Sequence, residues 1–320
     1  MNRRGILIGG LATGLGVPFH AARAQASAWP SREVKVILPV SAGGANDALA
    51  RAVFEHVGKQ LGTPFVISNN PGGGAVLGTA LLAQAKPDGY TIGNVSYSGL
   101  LLTPHTMKVP YKLSDFDFLG SAGEPLYGLA VGPNSPVKNM ADFVALAKQR
   151  EITCASNTIV NMVCMFNLAA MTGARIKWIP TKTQSEPIVL TSSGDVDCAL
   201  QSGPELTAGA AGNRIKLIAS ANQVRWASRP DMPTMIEQGF AVFNSVPLGY
   251  GVPVGVDPVI RRKLEAAILV AARSPEIVEM TSRLGVASRP LDAQGLARTF
   301  QAAAPEMEKL IADAGMKKSS

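Results

Sequence analysis

What most constrains this chain is a recurring unit: a short apolar run, a loop of small residues, then an apolar pattern of helical period. Residues 34–40 (VKVILPV) run into Ser41-Ala42-Gly43-Gly44-Ala45-Asn46-Asp47, after which Leu49, Val53, Val57 and Leu61 recur on one helical face until Gly62. Residues 65–68 form the next β-type run, and Asn70-Pro71-Gly72-Gly73-Gly74 leads to a helix around residues 77–85. Pro87-Asp88-Gly89 is a turn, because Pro presets φ and Gly accepts φ > 0, and residues 90–95 make another strand. Runs at 126–131, 152–155, 177–180, 196–200 and 215–220 continue the plan, with helices between them and a capping pair at Asn139 and Asp142. Such alternation predicts an α/β architecture with parallel sheets. Beyond residue 253 the pattern turns helical. Asp257 and Ser274 precede Pro258 and Pro275 as N-caps, and Asp292 caps a last helix through Leu296, Phe300 and Leu310. With three helices and no strong strand, this tail is expected to return and cover the first lobe.

The first 26 residues carry an export pattern. Arg3 and Arg4 open it, residues 5–17 are apolar and Gly-rich, and Ala22-Arg23-Ala24 and Ala24-Gln25-Ala26 fit small-residue cleavage sites. The apolar run is shorter than the ~20 residues needed to cross a bilayer, so a cleaved signal is expected, with cutting near Ala24 or Ala26. Twin-arginine and ordinary secretory signals both fit. The periplasm is the expected destination, and a membrane-embedded protein is not.

Cleavage would remove Arg3, Arg4 and Arg23 and no acid, taking the formal net charge from +7 to +4. That mild excess lacks the dense basic stripe of a nucleic-acid binder. The remaining chain exceeds a comfortable single core, and two lobes follow, with crossovers near residues 122–124 and 245–247. Cys154, Cys164 and Cys198 are compatible with one disulfide and one thiol, or with three buried thiols.

The chemistry concentrates at strand exits. A Gly-rich loop that ends a parallel strand and opens a helix offers unpaired N–H groups and the positive end of the helix dipole, which favour a carboxylate. Ser41, Ala42, Gly43, Gly44 and Asn46 compose such a loop; Asp47 either joins it or satisfies the helix's own amides. Ser156, Asn157 and Thr158, then Thr181, Lys182 and Thr183, then Gln201 and Ser202, leave later strands on what should be one rim. Only His56 and His105 remain outside the export segment, and no Gly-x-Ser-x-Gly, His-Glu-x-x-His or Cys-x-x-Cys pattern occurs. A receptor without catalysis, cofactor or metal is therefore expected.

Taken in order, a set of short motifs resembles the Bug-type receptors of tripartite tricarboxylate transporters. They are Trp29-Pro30-Ser31-Arg32, Leu38-Pro39-Val40-Ser41-Ala42-Gly43-Gly44 with Asp47, Asn70 to Gly74, Pro87-Asp88-Gly89-Tyr90-Thr91, Pro104-His105, Pro180 with Lys182, Gly194-Asp195-Val196-Asp197, and Pro230-Asp231-Met232-Pro233-Thr234 with Glu237-Gln238-Gly239. The resemblance implies a type II periplasmic-binding-protein fold, a two-lobed flytrap that holds a small carboxylate and delivers it to a membrane permease. It implies a first lobe from residues 27–122 and 246–320, a second from 123–245, and a monomer. By the same resemblance Asn94, Ser96 and Ser98 would join residues 41–47 in holding the ligand from the first lobe, and residues 156–158, 181–183 and 201–202 would close from the second.

Some positions depart from the family pattern. The family often has a Ser/Gly run and a His where this chain reads Asn157-Thr158-Ile159-Val160-Asn161-Met162, an aromatic at Thr181, a Gly at Thr183 and an acid near Gln201. Ile159, Val160 and Met162 raise the expectation of a more apolar, even aromatic, carboxylate. Two rivals stand beside the transport receptor: a sensor presenting ligand to a membrane signalling kinase, and an exported hydrolase.

Overall fold

The computed structural model describes residues 29–157, 159–313 and 316; the expected export segment and Thr158 lie outside the described residues. The chain builds two sheets flanked by helices. In the first, β1 (Val34–Leu38) is buried at every position but Lys35 and lies between β2 (Phe65–Asn69) and β3 (Thr91–Val95), parallel to both. The helix α1 (Ala45–Leu61) packs Leu49, Ala50, Val53, Phe54 and Val57 against it, as the spacing predicts. Gly62 ends this helix at φ +68°, a left-handed conformation that glycine adopts without steric cost, and its N–H donates to the Gly58 carbonyl. The Phe54 ring meets Tyr250 edge-on at 4.8 Å between centroids, tying α1 to the centre of the sheet.

The first sheet has the order β11-β4-β10-β3-β1-β2, with β4 at Phe116–Pro125, β10 at Leu248–Pro253 and β11 at Val286–Asp292. The second has the order β7-β6-β8-β5-β9, with β5 at Tyr127–Val131, β6 at Ile152–Ser156, β7 at Ile176–Pro180, β8 at Cys198–Ser202 and β9 at Lys216–Ser220. Parallel pairing is confined to β3-β1-β2 and β8-β6-β7; the remaining pairs are antiparallel. Each sheet is thus mixed, where the alternation predicts mainly parallel strands. The reversed pairs involve β4, β5, β9 and β10, which flank the crossovers, and the edge strand β11. β11 also corrects the expected strandless tail. It carries Pro290, tolerated because the strand lies at the edge and its register shifts between Ser288 and Leu291.

The helices follow the caps. In α4 (Met140–Gln149) the Asn139 side chain accepts from the Asp142 N–H, and Asp257 and Ser274 cap α8 (Pro258–Arg273) and α9 (Pro275–Arg283). α10 (Ala293–Asp313) lays Leu296, Phe300, Met307 and Ile311 into an apolar cluster with Tyr97, Leu100 and Leu101. That cluster also takes in Ile159 and Val160 from beside the second sheet, so it joins the two halves.

Leu126 alone separates β4 from β5, and its backbone is held on both sides: its N–H donates to the Gly285 carbonyl and its carbonyl accepts from Gly203. Asn222 fastens the same crossing, accepting from the Tyr127 N–H at 2.7 Å and donating to the Pro125 carbonyl at 3.0 Å. Beside it the Glu124 carboxylate accepts from Arg289 at 2.9 Å and from the Ser245 hydroxyl at 3.1 Å, linking both crossovers and β11. Burial pushes the Glu124 carboxyl above its ordinary value, against the pull of Arg289. All three cysteines are buried free thiols, with Cys154 and Cys198 paired across β6 and β8.

Candidate functional site

The strand directions decide where the exits lie. β10 is antiparallel to both β3 and β4, so β4 runs the same way as β1 and β3, and its end at Pro125 shares their exit edge. In the second sheet β5 is antiparallel to β8 with Tyr127 opposite Ser202, so β5 begins where β8 ends; β6 and β7 run parallel to β8. The only residue between Pro125 and Tyr127 is Leu126. Both sets of strand exits therefore border the seam between the sheets.

On the first-sheet rim Ser41, Ala42, Gly43 and Gly44 are exposed, and α1 starts with Gly44 as N-cap and no side-chain cap. Its first-turn amides lack intrahelical acceptors by construction. Asp47 turns inward. It accepts from the Gly43 N–H at 2.9 Å, from Arg51 Nε at 3.0 Å and from Asn69 Nδ2 at 2.9 Å. The Arg51 hydrogen bond first, then Gly43 and Asn69, hold the Asp47 carboxyl at about 2 despite burial. Asp47 thus braces the loop and takes up one of the loop's donors, the Gly43 N–H, rather than an amide of the helix itself.

Asn94 donates to the Gly249 carbonyl at 2.8 Å, which orients its amide and turns its oxygen toward Asn46 Nδ2 at 3.4 Å. Asn46 Oδ1 is buried without a protein partner. An orphaned acceptor beside open helix amides is a position where a bound molecule or water can complete the bonding. Ser96 Oγ accepts from the Gly99 N–H, closing a π-helical turn at Ser98–Leu102, and the Ser98 carbonyl accepts from Thr103 Oγ1. Ser96 and Ser98 thus build the turn after β3.

The second rim is a lattice of neutral amides. Asn157 Oδ1 accepts from Gln201 Nε2 at 3.2 Å and from Asn161 Nδ2 at 3.1 Å. Gln201, 1% exposed, also donates to the Gln184 carbonyl, while its oxygen accepts from the Ser202 N–H. The Ser202 hydroxyl contacts the Glu205 carboxylate. Ser156 is buried with no partner for Oγ, a second orphan. Thr181, Lys182 and Thr183 form the lip: Thr181 Oγ1 donates to the Thr183 carbonyl, the Lys182 N–H to Glu186, and Thr183 Oγ1 accepts from the Glu186 N–H. The Lys182 side chain is exposed.

Asn157, Gln201 and Ser202 are thus brought together, as are Asn46, Asn94 and the loop at 41–44. Thr158 falls outside the described residues. Asn161 and Gln184 belong to the amide lattice and were not among the expected site residues; Asn161 sits in an apolar run, and each meets Gln201 more than fifteen residues away in the chain. Of the residues behind the expectation of a more apolar ligand, Ile159 and Val160 pack in the cluster joining the halves and Met162 in the second sheet's core.

The family model described as tripartite tricarboxylate transporter family receptor matches residues 49–316. Protein BugT of Bordetella pertussis is 29% identical over 276 residues, covering 83% of this chain and 84% of that protein. Among solved structures, a TctC solute-binding protein from Polaromonas without ligand superposes with a TM-score of 0.77 at 20% identity, covering 89% of this chain and 99% of that one. An R. palustris protein solved with adipate gives 0.72 at 22% identity, covering 91% of this chain and 100% of that one.

Proposed function

We propose, from the premise that the chain belongs to the tripartite tricarboxylate transporter receptor family, that it captures a small carboxylate at the seam between its sheets and delivers it to a membrane permease. The observation that carries this reading is the shared border of the strand exits: the exposed loop at 41–44 before an uncapped helix and the Asn157–Gln201 lattice border the same seam. Amides at a helix N-terminus stabilise an anion, and the Asn46 oxygen would accept a hydroxyl or acid proton from the same molecule. A ligand held from both rims shifts the population toward the closed arrangement by its preference for it. The adipate bound by the R. palustris protein makes linear dicarboxylates the first candidates.

Delivery to a permease requires export, and residues 1–26 supply the signal for it, cut near Ala24 or Ala26. Residues 27–122 with 246–320, and 123–245, are the two lobes of this reading, acting as a monomer. Binding without turnover is part of it. A thermal-shift series with adipate, malate and citrate on the mature chain should raise Tm with ligand concentration, by RT ln(1 + [L]/Kd) in free energy. A strain lacking the chain should lose uptake of the same acid. No shift with any di- or tricarboxylate, or a shift accompanied by product formation, would overturn the reading.

A further inference from the structure

A cavity of about 530 Å³ lies beside the strand-exit rims, with Tyr97 between Ser96 and Ser98 and Val160 next to Asn161, and none of the described residues assigned to those rims lines it. One wall comes from the second half, through Val160, Val163 and Asn167; the other comes from β11 and α10, through Arg289, Arg298 and Met307. Residues 241–246 of the return crossover complete it. A volume in the range of ~300–1,000 Å³ suits a small organic molecule.

Its chemistry is divided. Arg289 uses Nη1 on Glu124, and the rest of its five-donor fork is left for a second acceptor. Arg298 stands exposed, with no ion pair among the described residues. Val160, Val163, Ala302 and Ala303 supply an apolar wall. Glu306 is the single carboxylate in the lining and Glu124 pairs with Arg289, so an anion here is recognised by the remaining guanidinium donors of Arg289 and by Arg298 rather than by a net charge. We infer that this cavity is a second binding site, for a monocarboxylate with an alkyl body, and that its occupant braces the two halves from the crossover side. The head sits between Arg289 and Arg298, and the chain lies along Val160, Val163 and Ala303. Because the walls come from both halves, the site is complete only when they are apposed, so filling it favours the closed arrangement.

Octanoate is the probe, with octan-1-ol as the uncharged control, titrated into the full chain by calorimetry. Wild type should bind octanoate saturably at one to one, and octan-1-ol at least about tenfold more weakly. Arg298→Glu, at an exposed position that leaves folding intact, should weaken octanoate by about tenfold or more, and Ala303→Trp should abolish binding by filling the cavity. Asn46→Ala, on the strand-exit rim, should change octanoate affinity less than about twofold. Absence of saturable octanoate binding, equal binding of octan-1-ol, or loss on Asn46→Ala but not on Arg298→Glu overturns the inference.

Discussion

The two rims are held in place by different physics. On the first, one buried charge organises the loop: Asp47 gathers Gly43, Arg51 and Asn69 beneath an exposed stretch at 41–44. On the second no ion sits at the centre. Asn157, Asn161 and Gln201 share neutral hydrogen bonds, each amide oriented by its neighbours. A charge anchor makes a loop firm but sensitive to protonation, whereas an amide lattice is indifferent to pH and sensitive to shape. In the proposed capture, the first rim would supply the positive potential for an anion and the second would select its outline.

Substitutions test that contrast, beginning where the rims meet. Glu124→Ala strips Arg289 of its carboxylate beside the crossover, and losing one partner of a buried pair should cost about 3 kcal/mol in urea unfolding. A loss under about 1 kcal/mol would mean that the crossover is held by Asn222 and backbone bonds alone. Asp47→Ala should cost about 2 kcal/mol and weaken dicarboxylate binding by releasing the loop. Its pH signature is more telling. The folded carboxyl is held near 2 against an ordinary 3.8, so its contribution is complete above 3.8 and disappears as pH falls toward 2. Allowing for the half-exposed Arg51, the wild type should lose about 1–2 kcal/mol more than Asp47→Asn between pH 5 and pH 2. Parallel pH profiles would show that the anchor is not electrostatic.

Gln201→Leu probes the other rim. It leaves Asn157 and the Gln184 carbonyl short of a donor, so stability should fall by about 1 kcal/mol with no change in its pH profile. Preference among dicarboxylates of different length should broaden, which a thermal-shift series reads directly. The smallest effect belongs to Lys182→Ala: stability should hold within about 0.5 kcal/mol, and affinity for an anion should drop about threefold, less at high salt.

Much of this was legible in local pattern. Leu49, Val53 and Val57 announced α1, the caps at Asn139, Asp257 and Ser274 marked their helices, and the Gly-rich exit of β1 advertised open amides. The features that escaped depend on partners distant in the chain. Phe116–Pro125 mixes Gly, Ser and Glu with its apolar residues, and becomes a strand because β10 and β11 flank it. Glu124 meets Arg289 across 165 residues, and no spacing rule reaches so far. Ile159 and Val160 show a related limit: beside a polar exit they suggest a ligand lining, and no local pattern tells that they share a cluster with α10 from the end of the chain.

Leu126 has a mechanical consequence. With its amide and carbonyl both clamped, the passage from one sheet to the next has no slack to spool out. In the proposed capture, any gaping of the two halves would be absorbed as torsion within a few backbone angles beside it, while the longer return segment trails. In that proposed motion the joint would work as a stiff torsion bar rather than a loose tether, and lengthening it by even one glycine would uncouple binding at the seam from the shape shown to the outside.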